Sequence, residues 1–159
     1  MRKMFVFAFI GLLTLVSCSK EDNPITYNKS FIEDGHFCGF DGTRDSMIIE
    51  FIFNTNNGRC KIDYIGEYDD ADGWHCRCAF GILPKYDIVQ TNGNTFNITF
   101  YLRCGETTTM SVFARPNGIY VRTVDFNGEC NESSPIHDKA CEHLRDNVNK
   151  VVGTILIKE

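Results

Sequence analysis

The chain is poor in positive charge. It holds 16 Lys and Arg residues against 21 Asp and Glu residues, which gives a formal net charge of −5. Proteins that bind nucleic acid cluster Lys and Arg to neutralise phosphates, and no segment of this sequence forms such a cluster. The same deficit argues against a domain body that lies on an anionic membrane. We therefore expect no nucleic-acid partner.

Motifs of the common catalytic sites are also missing from the sequence. It contains no Gly-x-Ser-x-Gly elbow, no His-Glu-x-x-His pair and no phosphate-binding loop. The acidic segment 69–73 does not fit an EF-hand loop. With Gly73 at the sixth position of the loop, Tyr68 and Ala79 occupy the first and twelfth positions, where acids are needed. Carboxylates such as Glu50 and Asp63 are present, but nothing in the sequence brings two of them together. We expect no catalytic residue and no cofactor.

Long apolar runs are missing except at the N-terminus, where residues 4–16 follow Arg2 and Lys3. A charged start, an apolar core and small residues before a cleavage point are typical of a secretory leader. The leader ends in the sequence Leu15-Val16-Ser17-Cys18. This run resembles the lipobox of bacterial lipoproteins, which implies cleavage before Cys18 and acylation of its sulfur and its new amino group. The alternative is an ordinary cleaved leader with a chance cysteine.

The residues after the lipobox refine the expected location. Ser19-Lys20-Glu21-Asp22 resembles the Lys-then-acid export signal of Bacteroidota-type surface lipoproteins. The resemblance implies a chain that is anchored to the outer membrane through the lipid on Cys18 and exposed at the cell surface. The periplasmic face is the alternative, because any polar tether has a similar composition. We predict a signal peptide at 1–17, a lipidated tether at 18–29 and a single disulfide-containing β-rich domain at 30–159.

Eight cysteines are many for this length, and removal of Cys18 leaves seven. In an oxidising compartment that number favours disulfides over free thiols. The candidates are Cys38, Cys60, Cys76, Cys78, Cys104, Cys130 and Cys141. Because seven is odd, one is left unpaired, pairs with another molecule, or the bonding is incomplete. Cys76 and Cys78 are too far apart along one strand to bond each other, so we expect Cys60 to be the partner of one. The full connectivity stays open.

Two-residue alternation of apolar and polar residues dominates the middle of the chain, and this period is typical of half-buried strands. Residues 96–104 show it most clearly, with Phe96, Ile98, Phe100, Leu102 and Cys104 on one face. Turn signals such as Asn56-Asn57-Gly58 and Asn92-Gly93 separate the rows, because Asn and Gly accept the positive φ of tight hairpins. The pattern predicts about eight strands between Phe31 and Phe126.

After these strands the hydrophobic period changes to that of a helix. Ser134 and Pro135 suit a helix start, and Ile136, Ala140, Leu144 and Val148 form one apolar stripe. Gly153 suits its end, and residues 154–157 can form a last strand. We predict a mainly β fold, an antiparallel up-and-down barrel, with a β-sandwich as the alternative. The order of elements is similar to that of lipocalin-like (calycin) proteins, although their Gly-x-Trp signature is absent from the first strand.

A zinc site is the alternative use of the cysteines. His75-Cys76-x-Cys78, His36-x-Cys38 and the helical pair His137 and Cys141 place soft ligands close together. Strand alternation turns His75 away from Cys76 and Cys78. Spacing by itself does not bring further ligands to the other pairs. We therefore predict structural disulfides and no metal site.

The functional expectation is a lipid-anchored surface domain of unknown activity that binds a small ligand or a protein and is not an enzyme. A hollow barrel would take a small apolar ligand, whereas a filled one would bind through loops or outer faces. Tyr86, Tyr101 and Tyr120 lie on the more polar strand faces and are candidate surface contacts. The alternatives are an accessory subunit of an outer-membrane complex and a hydrolase or thiol enzyme.

Overall fold

A computed structural model of the chain describes residues 25–40, 47–69, 75–103, 105–128 and 135–159, and for 66–69, 75–80 and 135–140 it describes the backbone. The predicted leader, Cys18, Cys104 and Cys130 lie outside these residues. The helices are α1 (Ser30–Glu33) and α2 (Pro135–Lys150). The strands are β1 (His36–Phe40), β2 (Met47–Asn54), β3 (Arg59–Asp69), β4 (His75–Ile82), β5 (Lys85–Asn92), β6 (Thr95–Tyr101), β7 (Thr107–Arg115), β8 (Gly118–Asn127) and β9 (Ile155–Lys158).

All nine strands belong to one antiparallel sheet that closes into a ring. Each strand from β1 to β3 and from β5 to β8 pairs with the next strand along the chain, and β9 pairs with β1 to close the ring. On its other edge β3 pairs first with β5, at Arg59 and Lys85, and then with β4. This arrangement confirms the predicted mainly β fold, with eight strands, a helix and a returning last strand.

Turn chemistry explains the registers of the hairpins. Asn54 pairs with Arg59 across the β2–β3 turn, where Gly58 has a φ of 62°. Gly93 occupies the same left-handed region, at 51°, in the β5–β6 turn. Glycine tolerates this conformation because it has no Cβ, so both turns form without strain and hold their strands in register.

Aromatic side chains fill the interior of the ring near α1. The Phe51 and Phe100 ring centroids lie 5.6 Å apart, although β2 and β6 are not neighbours in the sheet. Phe53 contacts both Phe100, at 6.0 Å, and Tyr86, at 5.1 Å. Rings from facing strands can approach this closely only if the space between them is occupied by the rings themselves. This part of the interior is therefore solid.

The two helices cover opposite ends of the ring. At one end α1 buries Ile32 completely. At the other end α2 buries Leu144 and Val148, which belong to the predicted apolar stripe, and Val151 follows them into the core. Asn147 of α2 donates to the Ile65 carbonyl at 2.5 Å, which ties the helix to β3. Among the described residues, no helix is both long enough and apolar enough for a membrane crossing.

The first described residues are hydrogen-bonded to the β5–β6 hairpin. The Tyr27 N–H donates to Asn94 Oδ1 at 2.8 Å, and Asn94 Nδ2 donates to the Ile25 carbonyl at 2.7 Å. The Tyr27 ring also packs on Phe31, with centroids 4.5 Å apart. These residues belong to the stretch predicted as a tether, and they contact the domain at the α1 end.

Candidate functional site

The three tyrosines singled out in the sequence do not share one surface. Tyr101 and Tyr120 lie on the outer face of the sheet, but Tyr86 points inward, where its ring packs on Phe53. The expectation for Tyr86 was wrong because this residue shares its strand face with Ile88, which is buried. Burial also raises the pKa of the Tyr86 phenol.

The two outward tyrosines are far apart. Tyr101 pairs with Thr107 near one end of β7, while Tyr120 pairs with Phe113 six residues along the same strand. This offset corresponds to about 20 Å. The Tyr101 hydroxyl donates to Asp87 at 2.7 Å, a bond that raises the pKa of Tyr101. The two tyrosines therefore do not form a continuous aromatic platform.

Arg115 lies over two neighbouring aromatic rings, those of Tyr120 and its cross-strand partner Phe113. Its guanidinium carbon lies 5.1 Å from the Tyr120 ring centre and 5.9 Å from that of Phe113. Phe113 is 36% exposed. This small surface combines aromatic rings with a cation, a composition suited to contacts with other molecules.

Three of the seven candidate disulfide cysteines have described side chains, and no disulfide joins Cys38, Cys60 and Cys141 to one another. The predicted bond from Cys60 to Cys76 or Cys78 conflicts with the strand register. Cys78 pairs with Gly66, six residues along β3 from Cys60, and Cys76 lies further away. The separation is about 20 Å, far beyond the reach of a disulfide.

Cys60 is a core residue and not a reactive thiol. It is fully buried among the apolar side chains of the ring. Burial strongly raises the pKa of its thiol, because the thiolate would lose its hydration. A thiol in this state is a poor nucleophile and a poor metal ligand.

The strongest convergence of ionisable groups in the described part of the chain lies on the outer face of β1 and β2. His36 and Cys38 occupy alternate positions of β1, so they share a face, while Phe37 between them is buried in the core. Glu50 of β2 pairs directly with Cys38. On the other side β1 pairs with β9, where Ile157 is opposite Cys38. Paired strands on both sides hold the cluster on a rigid part of the sheet.

One imidazole nitrogen links the three side chains of this cluster. His36 Nε2 lies 2.6 Å from Glu50 Oε1 and 3.4 Å from Cys38 Sγ. The ligand atoms of the three residues all lie within 4.8 Å of one another. Cys38 is 4% exposed, whereas the His36 side chain is 38% exposed and therefore opens the cluster to solvent.

Further charges surround this cluster. Asp63 of β3 is the direct cross-strand neighbour of Glu50. Two carboxylates in such a pair repel each other, and each also contacts a basic side chain. His36 contacts Glu50, and Lys61 pairs with Asp63. The hydrogen bond and charge of Asp63, together with the charge of Glu50, raise the pKa of Lys61.

The geometry favours binding of a cation over nucleophilic catalysis. In a thiol enzyme, one imidazole nitrogen accepts the thiol proton while the other is oriented by a third group. Here Glu50 and Cys38 contact the same nitrogen, so the carboxylate competes for the position that the thiol proton needs. The thiol is also too buried for attack on a substrate. Three side chains whose ligand atoms lie within 4.8 Å of one another could instead hold a metal ion.

The sequence identified two of these three residues. The His36-x-Cys38 spacing was recognised as a pair of soft ligands, but Glu50 was missed. The Asn56-Asn57-Gly58 turn could have located Glu50 relative to β3. It sets the register in which Asn54 pairs with Arg59, and four residues further along each strand Glu50 pairs with Asp63. That count would have placed the two carboxylates side by side, whereas the register of β1 on β2 had no such signal.

Comparisons of the chain with protein-family models, with curated proteins and with solved structures found no match.

Proposed function

We propose that this protein is a lipid-anchored cell-surface domain that binds a partner through its outer surface and is not an enzyme. The observation that carries the proposal is the filled interior near α1, where the Phe51, Phe53 and Phe100 rings pack on one another. A ring that is packed with its own side chains leaves outer faces and loops for recognition. The lipobox-like run before Cys18 supports the anchor and the location.

The outer face of the sheet offers the contact surface for such binding. Phe113, Tyr120 and Arg115 form a mixed aromatic and cationic surface at one end of β7 and β8. Aromatic residues and arginine are the side chains most enriched in protein interfaces. A second outward aromatic, Tyr101, lies at the other end of this face and is 44% exposed.

The anchor is tested by growing a bacterium with an outer membrane that expresses the chain in the presence of an alkyne-tagged fatty acid. We expect the chain to incorporate the label and Cys18→Ala to lose it. Cys141→Ser is the thiol control and should remain labelled. Protease added to intact cells should degrade the wild-type chain. Label on the Cys18→Ala protein would contradict the anchor, and protection from protease would contradict surface exposure.

Binding is tested by replacing Phe113 or Tyr120 with a photoreactive phenylalanine analogue in intact cells. We expect a discrete cross-linked species from these positions and none from the same analogue at Thr91, an exposed position outside the aromatic surface. A partner that also co-purifies in fixed stoichiometry would identify an accessory subunit of a larger complex. Equal cross-linking at all three positions, or at none, would contradict a specific binding surface.

A further inference from the structure

We propose that His36 Nε2, Cys38 Sγ and the Glu50 carboxylate bind a zinc ion on the outer face of β1 and β2. The three ligand atoms lie within 4.8 Å of one another, so side-chain rotations can bring them onto one ion. Histidine, cysteine and glutamate are all common zinc ligands. This inference goes beyond the proposed function and does not depend on the lipid anchor or on the aromatic surface.

The distances are close to those of a tetrahedral zinc centre. Zinc bonds of about 2.0–2.1 Å to nitrogen and about 2.3 Å to sulfur place these two ligands about 3.5 Å apart. The distance from His36 Nε2 to Cys38 Sγ is 3.4 Å in the structure. His36 Nε2 and Glu50 Oε1, at 2.6 Å, are hydrogen-bonded and must separate by about 0.7 Å to share an ion. The glutamate can make this change by rotating its side chain.

Charge and ligand softness indicate the kind of ion. A thiolate and a carboxylate together carry two negative charges, which balance a divalent cation, and the neutral imidazole adds none. On binding, Cys38 releases its proton to solvent and its sulfur electron pair forms the bond to the metal. Mg²⁺ and Ca²⁺ prefer sets of oxygen ligands, whereas thiolate with imidazole favours Zn²⁺.

The position of the cluster leaves room for a fourth ligand. Cys38 is 4% exposed and forms the buried side of the site, while the His36 side chain is 38% exposed and forms its open side. Water or an atom of a bound molecule can complete the tetrahedron there. Asp63, opposite Glu50 and paired with Lys61, adds negative potential beside the ion. The backbone is already ordered by pairing on both sides of β1, so binding requires little rearrangement.

The test measures zinc in the full-length chain, purified in detergent with a non-chelating reductant and dialysed against trace-metal buffer. Because other cysteines can also bind zinc, the informative variants are those that retain every thiol, His36→Gln and Glu50→Gln. We expect the wild-type chain to retain one more zinc per molecule than either variant, with at least about tenfold weaker affinity at this site in each. Cys38→Ser should lose the same ion.

Matched controls separate the site from general effects of substitution. His143→Gln and Cys141→Ser change residues of the same types on α2 and should bind as much zinc at this site as the wild-type chain. Substitution of Co²⁺ should produce the absorption of a cobalt–thiolate bond in the wild-type chain and lose it in Cys38→Ser. Circular dichroism identifies any variant that fails to fold. Glu50→Gln should disturb the fold least, because glutamine has nearly the same shape as glutamate.

Two outcomes would overturn the inference. One is equal zinc content in the wild-type chain, His36→Gln and Glu50→Gln, which would assign any bound metal to other thiols. The other is a mass-spectrometric finding that Cys38 forms a disulfide in the protein isolated from cells without reductant. Neither outcome would affect the labelling and cross-linking tests of the proposed function.

Discussion

Tyr64 shows how burial of a single phenol affects the pH dependence of the fold. It lies in the core of the ring and is 2% exposed. Burial, with a smaller effect from Cys141, raises the pKa of Tyr64 to about 12. The unfolded chain ionises this residue near its ordinary value of about 10. Between these values the unfolded state binds fewer protons than the folded state, so the free energy of unfolding falls as the pH rises.

We expect Tyr64→Phe to remove part of this alkaline destabilisation. Between pH 10 and 12 the wild-type chain should lose about 1–2 kcal/mol more than the variant, once solvent screening is allowed for. Urea titrations of both proteins across this range provide the measurement. Parallel declines in the two proteins would show that other groups are responsible. The comparison uses the difference in slope, so any constant cost of the lost hydroxyl cancels.

At the scale of single residues, the sequence showed which side chains share one strand face, but it did not show which side chains from different strands come together. The pair His36 and Cys38 follows from alternation along one strand. Glu50 joins them because of the register between β1 and β2, which depends on pairing between segments of the chain and not on local pattern. Alternation was expected to place Tyr86 on the more polar face of its strand, whereas its ring packs inward on Phe53.

At the scale of elements, a buried ion pair connects α2 to the β6–β7 loop. Glu106 is completely buried, and both of its carboxylate oxygens accept hydrogen bonds from Arg145, at 3.1 and 2.6 Å. Removal of Arg145 would leave a buried charge without this partner, which is more costly than removal of the pair together. The side chain of Arg145 is 41% exposed, so solvent screens part of the loss.

Arg145→Met should therefore lower the free energy of unfolding by about 2 kcal/mol. The double variant with Glu106→Gln should recover part of that loss, because the buried side chain is then neutral. Chemical denaturation of the single and double variants gives the coupling energy. Arg122→Met, at an exposed position of β8, is the control and should change stability by less than about 0.5 kcal/mol. Equal effects at the two arginines would contradict a role for the ion pair.

The junction of β8 and β9 depends on a glycine. Gly118 has a φ of 152°, and a Cβ at this position would lie 1.9 Å from the Leu156 carbonyl oxygen of β9. A backbone oxygen cannot move away without breaking the pairing of the two strands. The close approach therefore requires the absence of a side chain.

Gly118→Ala should cost at least about 3 kcal/mol, since it forces β9 away from β8. Gly93→Ala is the matched control, because its Cβ would meet nothing within 4 Å. It should cost about 1 kcal/mol from its left-handed backbone conformation. Amide hydrogen exchange of β9 would locate the difference. Retention of slow exchange in Gly118→Ala would contradict the expected separation.

Across the whole molecule, closure of the sheet depends on its shortest strand. The four residues of β9 pair with both β8 and β1, and they bring a fully buried Leu156 into the core. Alternation and turn signals predicted the strands and their meandering order. The ring closes through pairing between β1 and β9, which are far apart in the sequence, and no local pattern reports such a contact.

Deletion of residues 154–159 should open the ring and expose the unpaired edges of β1 and β8. Exposed edges pair with other chains, so we expect the truncated protein to form oligomers or aggregates. Light scattering after size exclusion provides the measurement. Leu156→Ala is the contrasting variant: it removes the core side chain but keeps the strand, and should cost about 2–5 kcal/mol while the protein keeps the oligomeric state of the wild-type chain. A truncated chain with the same oligomeric state as the wild-type protein would contradict the role of β9 in covering the edges of β1 and β8.

The hydrogen bonds between Asn94 and the first described residues would give the domain a preferred orientation if the proposed lipid is attached to Cys18. The seven residue steps from Cys18 to Ile25 can reach at most about 25 Å. The chain would then enter the domain beside α1, so that this end of the ring would face the bilayer and α2 would face away from it. The Phe113 and Tyr120 surface lies beside the β5–β6 turn, where Thr95 pairs with Phe113, so a partner bound there would lie close to the membrane.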